Sequence, residues 1–335
     1  MKYNGPFDQT NPAAGYVNGN PATNTAGSIP CAEGLEYPQR EIVAAIQAAG
    51  LTPTNADLTQ LAQSISILAL QKVVGSGQVP IIAGPTTTLY VRTDGSDAND
   101  GSANTAAKAF LTPAAAIAYG LSRFSLVGGT LNIVLGLPGT YPAPGVIPAT
   151  VGTLAIIGDP ANPASYILNG STGVSPLFVQ GNVNVVGARV TNNAVGFGTC
   201  TASANGFLTI SNVQVNTTVS APAHFAAGNT GIVAIEAGCS VLTGATNCMS
   251  AVTSGNIQLG ASLTLANTPG FTGAFAVASS NGSIGVSGGV SFLGTGAVGS
   301  RYAVSLNGSI GTNGGGTNFF PGNAAGTNDG TGAYA

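Results

Sequence analysis

Residues 274–285, AFAVASSNGSIG, and residues 301–311, RYAVSLNGSIG, are near copies of each other. Outward from them the same pattern recurs. Apolar pairs two residues apart stand at Leu131/Ile133, Leu154/Ile156, Val183/Val185, Leu208/Ile210, Val233/Ile235, Ile257/Leu259 and Ile284/Val286, and Ile310 opens another. Their first members are 23, 29, 25, 25, 24, 27 and 26 residues apart. Several follow a turn dipeptide: Gly181-Asn182, Asn205-Gly206, Gly255-Asn256, Asn281-Gly282 and Asn307-Gly308. A second pair follows in two of the repeats, Leu263/Leu265 and Val290/Phe292. A repeat of this size marks units that bury their apolar face only by stacking.

Alternation in short runs makes strands rather than helices. The frame of a leucine-rich repeat is absent. Three strands and their turns fill about 25 residues, and each strand then pairs in parallel with its copy one coil later. At about 4.8 Å per coil, eight coils would stand roughly 40 Å tall. Gly and Asn at the corners are expected to supply positive φ, and parallel crossovers are nearly always right-handed. The expected fold is therefore all-β, a right-handed parallel β-helix of about eight coils over residues 125–320. Residues 89–124 would form its opening strand, turn and capping helix, with 113–119 plugging the first coil. Phe319 and Phe320 would cover the last coil, and 321–335 would be a C-terminal cap or tail. Both ends need such covers, because open strand edges invite aggregation.

Upstream, residues 1–36 are rich in Asn, Pro, Gly and Thr and are expected to form an extended arm. Residues 37–74 carry the strongest helical signal. Pro38 suits a helix start, Ile42, Ile46 and Ala49 share a face, and Gly50 is a stop. Asn55 is placed to cap a second helix. Within it Leu58, Leu61, Ile65 and Leu68 alternate spacings of three and four, as in an a/d seam. Such a seam could set the register of a trimer, or the two helices could pack on each other as a hairpin. Residues 75–88, GSGQVPIIAGPTTT, read as a linker.

Composition narrows the class further. Only 6% of residues are charged, 44% are hydrophobic and 50 are Gly. Globular proteins average about a quarter charged residues, while disorder needs low hydrophobicity with high charge. The net charge of −3 is unclustered, so nucleic acid is not an expected partner. The stretch MKYNGPFDQTNPAAG lacks an apolar h-region, so no secretory leader is expected. The apolar run 65–70 is too short to span a bilayer. Cys31, Cys200, Cys239 and Cys248 have no CxxC spacing and read as free, mostly buried thiols.

The stretch LEYPQREIVAAIQAAGLTPTNADLTQLAQSI, residues 35–65, resembles the N-terminal region of bacteriophage tail-fibre proteins. YVRTDGSDANDGSANTAAKAFLTPAAAI, residues 90–117, is similar to the segment that opens β-helical tailspikes and related pectin-lyase-like proteins. The resemblance implies a homotrimer made in a bacterial cytoplasm and carried on the virion. It would attach through residues 1–74 to a tail or baseplate protein and display its β-helix outward. Many such proteins bind cell-surface polysaccharide, and some cleave it.

Cleavage of a glycan normally takes two carboxylates about 5–10 Å apart. Between Leu131 and Phe320 the acidic residues are Asp159 and Glu236, about three coils or roughly 15 Å apart within one chain. Asp159 lies in the turn GDPANP, and Glu236 is expected to point outward. A pectate-type lyase would need clustered Asp and a base, and this stretch offers only Arg189 and Arg301. His224, the single His, is expected at the surface or in a loop. Asp94, Asp97 and Asp100, with Asn99, cluster without the spacing of an EF-hand and read as a capping turn. No catalytic residue, cofactor or metal is therefore expected. Without Trp, Tyr119, Tyr141, Tyr166 and Tyr302 are the candidate contacts for a surface glycan. The expected function is a non-enzymatic virion fibre. The rivals are a depolymerase whose site forms between subunits and a purely structural virion component.

Overall fold

The computed structural model describes residues 6–8, 10, 11, 13–75, 81, 82 and 86–335. The chain divides into two compact units, Met1–Pro80 and Ile81–Ala335. Most of the expected linker, residues 76–80 and 83–85, lies outside the described residues.

In the first unit, α1 (Ala32–Ala48) and α2 (Gln60–Gly75) pack against each other. Within one chain they thus form a helical hairpin. Before α1 the chain doubles back on itself: Ser28 N donates to Val17 O and Phe7 N to Ile29 O. Its tip is a short turn of 3-10 helix at Pro21–Thr23, capped by the Asn20 side chain. The arm therefore ends at Cys31, and Pro38 lies inside α1 rather than at its start. Glu33 in the first turn favours the earlier start by complementing the helix dipole. Gly50, with φ +79°, does end α1. Leu51 N donates to Ile46 O and Gly50 N to Gln47 O, the two bonds of a Schellman motif. Asn55 does not cap α2. Thr59 O accepts the first helical bond from Gln63 N, Asp57 Oδ1 accepts from Thr59 N at 2.8 Å just before the helix, and the Gln60 side chain ties the loop through Thr52 O and Thr54 N.

The second unit is a parallel β-solenoid of about 8 turns. Among the described residues its strands fall into sheets of 10, 8 and 7 strands, plus a 2-stranded pair. Each main sheet takes one strand per coil. The coil of Asn182–Val186, Arg189–Asn192 and Cys200–Ala202, for example, repeats as Phe207–Ser211, Gln214–Thr217 and Ala223–Ala227. The apolar pairs of the sequence are the inward rungs of the 10-stranded sheet. Leu154 pairs with Val183, Val183 with Leu208, Leu208 with Val233, and so on to Ile284 with Ile310. Leu131 through Ile257 in this column are fully buried. The Leu263 partner is Phe292, however, and not Val290.

Stacking begins earlier and ends later than residues 125–320. Strand Thr86–Val91 already pairs with Thr130–Leu135, and Thr327–Asn328 and Ala333–Tyr334 extend two sheets beyond Phe320. The alternating TTTLYV and the final AYA are too short to show as a full repeat, yet each adds a rung to a strand already in place. Between the first two strands of the large sheet, α3 (Pro113–Arg123) covers the end of the stack. Thr112 caps it through Ala115 N, and Ala116, Ile117 and Gly120 are buried. Gly120 lies so close that a Cβ there would sit 2.4 Å from Leu131 Cδ2. At the other end Phe320 is fully buried, with ring centroids 5.8 Å from Phe275 and 5.8 Å from Phe292.

Positive φ falls on Gly at some turns, as at Gly187 and Gly238, and on Asn at others. At the corners leading into the large sheet it comes on two successive residues that are not Gly: Ala204/Asn205, Asn229/Thr230, Thr253/Ser254, Ser280/Asn281 and Leu306/Asn307. Each pair is closed by the next residue's N–H bonding back three places, as Gly206 N does to Ser203 O at 2.8 Å. Two positive φ values within a bonded turn are the mark of type I′. The glycines that follow, Gly206, Gly231, Gly255, Gly282 and Gly308, are needed for space: a Cβ on each would lie 2.1–2.3 Å from a carbonyl oxygen of the previous coil.

Candidate functional site

Asp159 and Glu236 follow the same sheet at the same corner but on coils three apart. Stacked strands place them roughly 15 Å from each other, beyond the reach of paired acid and base. Asp159 accepts from Ala161 N at 2.9 Å and so forms its own turn. Glu236 is exposed, as its neighbours Val233 and Ile235 required.

The acidic cluster near the first coil is resolved into separate structural tasks. Asp94 forms a two-pronged bond with Arg92, at 2.8 and 2.9 Å. That guanidinium holds the Asp94 carboxyl below its ordinary range. Asp97 accepts from Leu111 N, Thr112 N and the Thr112 hydroxyl, which anchors the start of α3. Asp100 accepts from Ser102, and Asn99 donates to Ala106 O and Ala109 O. Among the described residues no group of three metal-ligating side chains converges.

Burial separates the four candidate tyrosines. Tyr141 lies wholly inside the coil, its hydroxyl bonded to Leu137 O, and desolvation raises its pKa. Tyr302 is nearly buried and stacks on Tyr334 at 3.8 Å. Neither offers a face to a glycan. Their strands place them inward: Tyr141 opposite Leu168 and Tyr302 opposite Ala276. Tyr119 is half-buried against Phe110, with Arg123 over its ring at 5.0 Å, and Tyr166 remains half-buried.

His224 is not at the surface. It is fully buried, Nε2 lies 2.7 Å from Thr243 O, and Nδ1 faces Thr199 Oγ1 at 3.5 Å. Burial pushes its pKa down to about 4. The loop carrying Thr243 folds over the outer side of its strand, which strand alternation alone does not reveal. Cys200, Cys239 and Cys248 are buried free thiols, as expected, and burial pushes Cys239 up to about 11. Cys31 is partly exposed.

Among the described residues, two surface concavities have large apolar side chains in their walls. In the helical unit a groove of about 660 Å³ is lined by Ile42, Val43, Ile46, Leu58 and Leu61. Its apolar walls are open to solvent: Leu58 is 92% and Val43 40% exposed. Leu58 precedes α2, so only Leu61, Ile65 and Leu68 of the expected seam are helical. The second lies at the C-terminal end of the solenoid. There the 7-stranded sheet stops at Phe292–Gly294 while the other two sheets continue. Residues 312–322 turn into the gap, and Phe292, Phe319, Phe320, Asn318 and Arg301 line a pocket of about 490 Å³. The Phe-Phe-Pro at 319–321 was the legible signal for the cover; the pocket beside it had none.

No family model, curated protein or solved structure matches this chain.

Proposed function

We propose that the protein is a homotrimeric bacteriophage tail fibre or tailspike. In this reading it attaches through residues 1–74 to another tail or baseplate protein. Its solenoid contacts a host surface polysaccharide without cleaving it. One observation carries the reading: a stacked body sealed by its own side chains, α3 at one end and Phe320 at the other, and almost without charge. Such a body is a rigid rod that presents hydroxyl and amide groups along its length. The exposed Leu61 and Ile65 on α2 suit association of the helical units. The resemblance of residues 35–65 and 90–117 to tail-fibre and tailspike segments points the same way.

The test pairs sedimentation of the purified chain with incubation on bacterial cells and their extracted polysaccharide. A trimer retained without release of reducing ends supports the fibre. Release abolished by Asp159→Asn or Glu236→Gln would instead establish a depolymerase with a site between subunits. A protein that neither binds nor cleaves is a structural virion component.

A further inference from the structure

We propose that the pocket at the C-terminal end of the solenoid binds carboxylate-bearing sugars, with Arg301 as the anchor for the carboxylate. This rests on the glycan-binding reading above and names the class of sugar and the place.

From residue 125 onward the cations are Arg189 and Arg301. Arg189 is committed, donating through Nε and Nη2 to Gln214 Oε1 at 2.9 and 2.7 Å. Arg301 is held differently. Its Nη1 donates to Ala324 O at 3.1 Å, which fixes the side chain against the last coil. No carboxylate pairs with it among the described residues. A guanidinium carries five donors in a planar fork that matches a carboxylate two-pronged. Arg301 is half-buried, so a bond to an incoming anion forms with less competition from water.

The walls supply the rest of the recognition. Phe292 and Phe319 meet at 70° with centroids 5.4 Å apart, both half-buried. They form an apolar corner against which the C–H face of a pyranose can lie. Asn318, exposed at the rim, and Ser291 add an amide and a hydroxyl for ring oxygens and hydroxyls. A few placed polar groups over apolar walls, in a volume of about 490 Å³, match the usual small-ligand site of about 300–1,000 Å³. One cation at the pocket, in a chain of net charge −3, suits a monoanion better than a phosphate dianion. A corner of rings suits a sugar face better than an extended peptide.

The experiment titrates the intact protein with oligogalacturonate, a neutral glucan oligomer and polyglutamate, reading saturation-transfer NMR and retention on immobilised polymer. Cell retention is measured beside it. Oligogalacturonate is expected to bind and the neutral oligomer not to bind. Arg301→Gln keeps an amide donor for Ala324 O and should melt as the wild type does, yet lose binding at least tenfold. Asn318→Ala should lose a few-fold. Undiminished binding by Arg301→Gln, or no uronate binding by the wild type, overturns the assignment. Equal retention of polyglutamate overturns it in favour of a carboxylate-peptide site. Cells held equally by wild type and Arg301→Gln remove the pocket but keep the fibre reading. Uronate binding without cell retention keeps the pocket and removes the fibre reading.

Discussion

Gly231 lies under the carbonyl of Ala202 on the preceding coil: a Cβ there would stand 2.3 Å from that oxygen. The same approach recurs at Gly206, Gly255, Gly282 and Gly308. It sets how tightly one coil sits on the next.

Gly231→Ala should therefore destabilise the protein by about 3 kcal/mol, the upper range of overpacking, since backbone rather than a flexible side chain is in the way. Gly228 is the control. A Cβ there meets its nearest atom at 3.7 Å, and Gly228→Ala should change stability little. Urea denaturation of both variants measures the difference.

Leu306 is 60% exposed and held at φ +48°, a region that costs a branched L-residue about 1–2 kcal/mol. Asn visits it more readily. Leu306→Asn is expected to raise the melting temperature, with a gain of about 0.5–1 kcal/mol. A lower melting temperature would show that the leucine side chain makes a stabilising contact.

His224 makes stability depend on pH. Its folded pKa is depressed from 6.5 to about 4, so the unfolded chain binds the proton first as pH falls. Its contribution is fully present above pH 6.5 and is lost progressively down to about pH 4, on the order of 3 kcal/mol in all. His224→Gln should flatten the stability profile in that window. Exposed carboxylates with lowered pKa, such as Asp94 and Asp100, act at lower pH.

Thiol reagents should distinguish the cysteines. In the folded protein Cys31 reacts, while Cys200, Cys239 and Cys248 are shielded and their pKa values are raised by burial. All four should react at comparable rates in guanidinium. Rapid native modification of Cys200 would contradict its burial inside the coil.

The body of the fold was legible because its rungs repeat. One apolar pair per coil fixes a strand, and its copy some 25 residues on fixes the partner. Helix boundaries were less legible: Pro38 looked like a start, yet Cys31 precedes the helix, and the next begins at Gln60, behind Thr59 rather than Asn55. The glycines after each corner were read as turn formers, because sequence shows flexibility and not the carbonyl overhead. Candidate contacts were harder still. Tyr141 and Tyr302 have the chemistry of a glycan platform, but strand alternation turns both rings inward. His224 is buried by a loop some twenty residues away, a relation that no local pattern carries.

The α3 cover also gives the structure a temporal order. It precedes the second strand of the large sheet in the chain, so it can settle on Leu89 before most of the later strands have been synthesised. Every subsequent turn then has a finished edge to template it. Phe320 follows to cover the end left by the 7-stranded sheet, and the two short strands after it extend the other sheets. A chain built this way can assemble as it leaves the ribosome, from its α3 end toward its C-terminus.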